Sequence, residues 1–299
     1  MELRTNVAGL EMRTPIMNAS GTLSFPSVLK KCAPCFGAVV TKSIGIEERD
    51  GYGTPGFAQL GHDRYVNAIG LSNPGYIEFR KELEKIYPII CDGYRVPLIV
   101  SIFGSTGKEL VTIAEYLQTV CDAFELNYSC PHPAPNERVG IVVGSDPKLV
   151  HSYTKALRDA IEKPFIAKLT PNFPDDKLLD VAYAAVNGGA NALSAINTVG
   201  PEDSSNEYGI PILRNRVGGI SGRAIKKRGI EVVRTLRREF SDIDIIGMGG
   251  IKTVDDVIEY ICAGANAVAV GTEVVKDRNT DELLRYMDDL NRKLGEMDV

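Results

Sequence analysis

The chain has 299 residues, 44% hydrophobic and 24% charged, a length that one large α/β domain fills and a composition able to bury a sizeable core. A net charge of −5 with no basic tail or stripe argues against a nucleic-acid backbone as main partner and favours a small molecule. No segment approaches the roughly 18 apolar residues of a membrane span, and six scattered cysteines with no export signal fit reduced thiols, so a cytoplasmic protein is expected.

Taken in chain order, short runs of Val, Ile and Ala alternate with stretches of helical period, which is the signature of βαβ units. The runs are 16–19, 38–42, 98–103, 123–126, 165–169, 192–196, 243–247 and 267–270. Helices are expected at 107–119, 147–161, 176–187, 223–239 and 253–263. The runs are short and do not alternate, as strands buried on both faces should be. A doubly wound open sheet shares this local pattern, but eight strands with interleaved helices favour a closed (β/α)8 TIM barrel forming a single domain over 1–299. Two connections are long, 43–73 and 197–222, and both leave strand C-terminal ends, where barrel enzymes keep their chemistry.

The chemistry-bearing residues also follow chain order. Cys32 and Cys35 form a C-x-x-C pair with no second pair or nearby His to complete a metal site, and three histidines in all make a protein-built metal centre unexpected. Lys42 and Lys168 emerge at the ends of apolar strands. A buried lysine is costly unless an anion or carbonyl offsets its desolvation, although a strand-end lysine can also simply be solvated. Asn67, Asn127 and Asn197 carry carboxamides suited to reading a planar polar ring, where a single one would pass for a turn former. Cys130 follows the fourth strand beside Asn127 and Ser129 and ahead of Pro131. That position favours a reactive thiol over core filler, since a thiol with a reference pKa of about 8.5 can act as a base near neutral pH. Glycine-rich segments stand at 218–222, 247–251 and 271–272; they are expected as turns whose N–H groups approach a phosphate after the last strands.

With these segments in view, the chain resembles class 1 dihydroorotate dehydrogenases. The match runs through Asn18-Ala19-Ser20-Gly21, Thr41-Lys42-Ser43, Asn67-Ala68-Ile69-Gly70-Leu71-Ser72-Asn73-Pro74-Gly75 and Asn127-Tyr128-Ser129-Cys130-Pro131. It continues through Lys168-Leu169-Thr170-Pro171-Asn172, Ile196-Asn197-Thr198 and the three glycine segments, covering nearly the whole chain. The resemblance implies that Cys130 removes the C5 proton of dihydroorotate while a hydride passes from C6 to FMN, with Lys42 and Lys168 also catalytic. It implies a substrate pocket of Lys42, Asn67, Gly70, Leu71, Asn127, Asn197 and Thr198. The FMN set would be Ala19, Ser20, Gly21, Lys42, Asn127, Lys168, Ile196, Ser221, Gly222, Gly249, Gly250, Gly271 and Thr272. Most like the class 1B catalytic subunit, the chain is expected to form a homodimer core and to pass electrons through a partner carrying FAD and an iron–sulfur cluster to NAD.

Two departures bear on specificity: His132 stands where many members have an asparagine, and Pro201-Glu202-Asp203-Ser204-Ser205 replaces the usual hydrophobic start of the 200–215 loop. A uracil-type flavin-dependent dihydropyrimidine dehydrogenase shares the cysteine loop, but the Asn67 segment looks like the orotate-type loop. A fumarate-linked dihydroorotate dehydrogenase also stays open. Flavoenzymes that reduce uridine in transfer RNA would need a basic surface, and a non-catalytic phosphate-binding barrel would carry no flavin.

Overall fold

A computed structural model describes residues 3–130, 139–206, 208–276 and 279–297. Eight parallel strands form the central sheet: β1 (Ile16–Asn18), β2 (Val39–Val40), β3 (Leu98–Ile102), β4 (Ala123–Asn127), β5 (Phe165–Lys168), β6 (Ala192–Ala195), β7 (Asp244–Met248) and β8 (Ala267–Val270). From β2 to β8 each strand pairs with the next, and β8 pairs with β1. A parallel bridge between Met17 and Ala38 closes the ring. The closure leans on Asn18, whose buried carboxamide accepts from Val40 N and donates to Val40 O, both at 2.8 Å, and so imitates a strand backbone. The (β/α)8 barrel therefore stands, and the open sheet does not.

The strands are followed in turn by α1 (Pro26–Cys32), α2 (Gly75–Pro88), α3 (Gly107–Leu117), α4 (Pro147–Ala160), α5 (Asp175–Asn187), α6 (Lys226–Glu239), α7 (Val254–Cys262) and α8 (Thr280–Glu296). Two cores result. Outward residues such as Phe124, Leu126, Phe165 and Val268 pack under the helices. Inward residues such as Ala123, Ile166, Ala192 and Ala267 form a second cluster with Val7, Ala8 and Met12. The last three belong to a hairpin, Thr5–Val7 with Leu10–Met12, that plugs the bottom of the barrel and is fixed there by Ala8 N donating to Asp244 Oδ2 at 2.8 Å.

The structure corrects the reading of the two long connections. They are not loops alone: Phe57–Gly61 and Arg64–Asn67 from the first pair with Val199–Asp203 and Val217–Gly222 from the second in one antiparallel four-stranded sheet. The segment 218–222, expected as a turn, is strand to its end at Gly222, because Gly219 to Gly222 pair with Asn67 to Arg64.

Candidate active site

Strand periodicity decides which polar groups reach the barrel interior. On β4, Phe124 and Leu126 join the outer core, so Ala123, Glu125 and Asn127 face inward. In register, Asn127 stands opposite Lys168 of β5, and Lys168 opposite Ser194 of β6. Both charged side chains are buried, with Lys168 Nζ 3.6 Å from Glu125 Oε1 and Ser194 Oγ donating to Glu125 Oε2 at 3.2 Å. The anion that offsets Lys168 is thus supplied by the chain itself.

Nearer the mouth, a run of hydrogen bonds fixes the carboxamides. Asn127 Nδ2 donates to Ser43 Oγ at 2.9 Å, and its Oδ1 accepts from both Ser129 N and Ser129 Oγ at 3.2 Å. Asn197 Nδ2 donates to Ser129 Oγ at 3.0 Å, and its Oδ1 accepts from Thr198 N at 2.8 Å. Both amides therefore turn their oxygens toward protein donors and keep an N–H beyond these bonds, an arrangement suited to ring carbonyls or a carboxylate. Asn67 sits on the covering sheet, where its Nδ2 donates to Gly219 O at 3.3 Å. Half-buried Lys42 places Nζ 3.4 Å from Ser72 Oγ, and burial pushes its ammonium below the ordinary lysine value.

The glycine segments converge from β6, β7 and β8. Gly222 has φ +85°, and a Cβ there would lie 2.3 Å from Asp63 O; at Gly250 a Cβ would lie 2.8 Å from Gly222 O. The two backbone segments thus approach as closely as glycine alone permits. Asp63, at the turn of the covering hairpin, is tied down by Lys252 at 2.9 Å and Lys276 at 3.5 Å.

All of this surrounds one cavity of about 400 Å³. Its walls contain Ala19, Ser20 and Gly21 beyond β1, Lys42, Asn67, Gly70 and Leu71, Asn127 and Cys130 on or after β4, and Lys168. They also contain Ile196, Asn197 and Thr198 after β6, Ser221 and Gly222, Gly249 and Gly250, and Gly271 and Thr272. Every residue singled out from the sequence as a site residue is brought to this cavity. Pro131 and His132 lie outside the described residues. Cys130 is half-buried, and its carbonyl accepts from Ile141 N at 3.0 Å. The sequence reading missed Ser43 and Phe57, which line the cavity, and Ser129 and Glu125, which hold lining residues. Of these, only Glu125 carried a local signal, a charge inside the apolar run Ala123-Phe124-Glu125-Leu126. Cys32 and Cys35 are buried free thiols away from the cavity; Cys35 Sγ donates to Asp288 Oδ1 at 3.4 Å, and desolvation pushes its thiol up to about 12.

Residues 2–294 match the family model described as dihydroorotate dehydrogenase. The chain is 41% identical over 304 residues to the dihydroorotate dehydrogenase B (NAD(+)) catalytic subunit of Methanocella arvoryzae, covering 99% of this chain and 97% of that protein. It is 42% identical over 275 residues to the same-named subunit of Thermococcus kodakarensis, covering 91% and 87% of the two chains. Among solved structures it is similar in fold to an Eimeria tenella DHODH in complex with ferulenol, with a TM-score of 0.79 at 22% identity over 99% of this chain and 89% of that one.

Proposed function

Because the chain belongs to the dihydroorotate dehydrogenase family, whose members are flavin-dependent oxidoreductases, we propose that it oxidises dihydroorotate to orotate in pyrimidine biosynthesis with FMN as its flavin. The observation that carries this reading is the convergence of three glycine segments, a buried lysine and a cysteine on one cavity. FMN fits that donor set. The glycine-bearing backbone at Ser221-Gly222, Gly249-Gly250 and Gly271-Thr272 suits a phosphate, and Lys168 suits a ring that takes on negative charge. Bound there, FMN would accept the hydride leaving C6.

The chain's own groups do the rest. Cys130, as thiolate, takes the proton from C5, so the substrate loses one proton and one hydride and gains the ring double bond. Asn67, Asn127 and Asn197 hold the ring by its amide edges, with the polarity of the last two fixed through Ser129 and Ser43. Lys42 offers the cation for the substrate carboxylate. Gly70, Leu71 and Thr198 close the pocket around it. We further propose that this cytoplasmic barrel forms a homodimer core and passes electrons to a separate subunit carrying FAD and an iron–sulfur cluster, and thence to NAD.

Anaerobic mixing with dihydroorotate while following flavin absorbance tests the reading. Heat-released cofactor should be FMN, and dihydroorotate should bleach it, whereas bleaching by dihydrouracil instead would move the assignment to the uracil-type enzymes. Cys130→Ala should retain FMN yet bleach more slowly by about 10²- to 10⁴-fold, the usual size of a lost general base. An undiminished rate in that variant would remove Cys130 from the chemistry.

A further inference from the structure

Beneath the cavity lies a charged group that proton abstraction does not use. Glu125 is 2% exposed and Lys168 is 4% exposed. The Glu125 register neighbours are Ser101 on β3 and Ile166 on β5, so its strand neighbours bring no charge. Oε2 is satisfied by Ser194, but Oε1 faces Lys168 Nζ at 3.6 Å, beyond hydrogen-bond reach. Among the described residues it is the one buried side-chain polar atom lacking a hydrogen-bond partner. A carboxylate kept here against its desolvation is a poor way to stabilise a barrel, since an apolar residue would fill the place at lower cost.

We propose that Glu125 is a positioning residue for the flavin chemistry: the buried counter-ion of Lys168, restraining its ammonium at the cavity floor and offsetting its charge. It thereby limits how strongly the site stabilises negative charge on the bound flavin. The proposal rests on the reading of this cavity as a flavin site. Where water is excluded, a charge one layer beneath the cavity is felt strongly. Lys168 alone would hold a negatively charged ring so well that it would resist giving electrons onward; the pair moderates that hold.

Sulfite binding to the oxidised holoenzyme is the test, because sulfite adds reversibly to flavin, leaves negative charge on the ring and bleaches it without turnover. Glu125→Gln keeps the shape and the Ser194 contact and should tighten sulfite binding by about tenfold or more. Lys168→Met should loosen it, and Glu125→Gln added to Lys168→Met should bind sulfite far more weakly than Glu125→Gln alone. Glu125→Asp, which keeps the charge, should stay near wild type. A purely structural role predicts the opposite sign, since a loosened floor weakens the adduct. Unchanged or weaker sulfite binding in flavin-loaded Glu125→Gln overturns the counter-ion role and leaves the flavin reading standing. A wild-type chain that binds no flavin overturns both. Melting temperature gives a second arm independent of flavin loading: Lys168→Met should lower it by stranding the carboxylate, and adding Glu125→Gln should restore it. Failure to restore it counts against the pair.

Discussion

Lys42 meets the cavity with its ammonium held below the ordinary lysine value of 10.5, and the cause is burial. A carboxylate bound beside it would favour the charged form and raise that value again. The sign follows: orotate affinity should be full at pH values below the lowered, ligand-free value and should fall as pH rises through it, because the amine must then be reprotonated to bind. Spectral titration of the flavin with orotate checks this, performed in Cys130→Ala so that the thiol does not titrate in the same range. Lys42→Met should lose about 10- to 100-fold in affinity, in keeping with about 1.5–3 kcal/mol for a charged hydrogen bond, and lose the alkaline decline as well. An unaltered decline in that variant would assign it elsewhere. Residues of this kind were legible because a lysine, a carboxamide or a thiol at the end of an apolar run breaks the local pattern. Ser43 was not: a serine disturbs no pattern, and its partner Asn127 stands 84 residues away in sequence; the bond from Asn197 to Ser129 spans 68 residues and was equally hidden.

At the scale of elements, Cys130 is set by where the chain returns to it. Gly140, at the start of the short helix Ile141–Gly144, has φ +57° and ψ −125°, and a Cβ there would come within 2.7 Å of Cys130 Cβ and 2.8 Å of Cys130 O. Gly140→Ala must therefore strain the backbone or displace Cys130. The expected result is retained FMN with bleaching by dihydroorotate slowed by about 10²-fold, the usual cost of misplacing a reacting group by about 1 Å. A wild-type bleaching rate in Gly140→Ala would show that the thiol is positioned by other contacts. The eight strands were legible because strands buried on both faces read as bare apolar runs. Helix α8 was legible in principle, with Leu283, Met287, Leu290 and Leu294 on one stripe and Asn279 with Glu282 in a capping box. The covering sheet was hidden, since Gly219 pairs with Asn67, and no local period announces a partner 152 residues away.

For the molecule as a whole, the distribution of functional groups bears on where the electrons go. Barrel topology, read from eight runs, gathers the glycine segments after β6, β7 and β8 at a single mouth, where the proposed function assigns them one phosphate. An NAD molecule would need a second nucleotide cradle, and an iron–sulfur cluster would need grouped thiolates. The cysteines are dispersed: Cys32 and Cys35 beside α8, Cys91 against Asp122, Cys121 inside the core, Cys130 at the cavity and Cys262 exposed at the end of α7. Among the described residues, no three His, Cys, Asp or Glu side chains are placed to hold a metal. On the proposed function, and given the likeness to dihydroorotate dehydrogenase B catalytic subunits, electrons delivered to the flavin are expected to wait for another protein. After anaerobic bleaching by a limiting amount of dihydroorotate, the isolated chain should stay bleached when NAD is added and recover only slowly with fumarate. A partner subunit carrying FAD and an iron–sulfur cluster should restore the absorbance with NAD within the time of one turnover. Recovery with fumarate as fast as the bleaching step would make the chain self-sufficient and place it with the fumarate-linked enzymes.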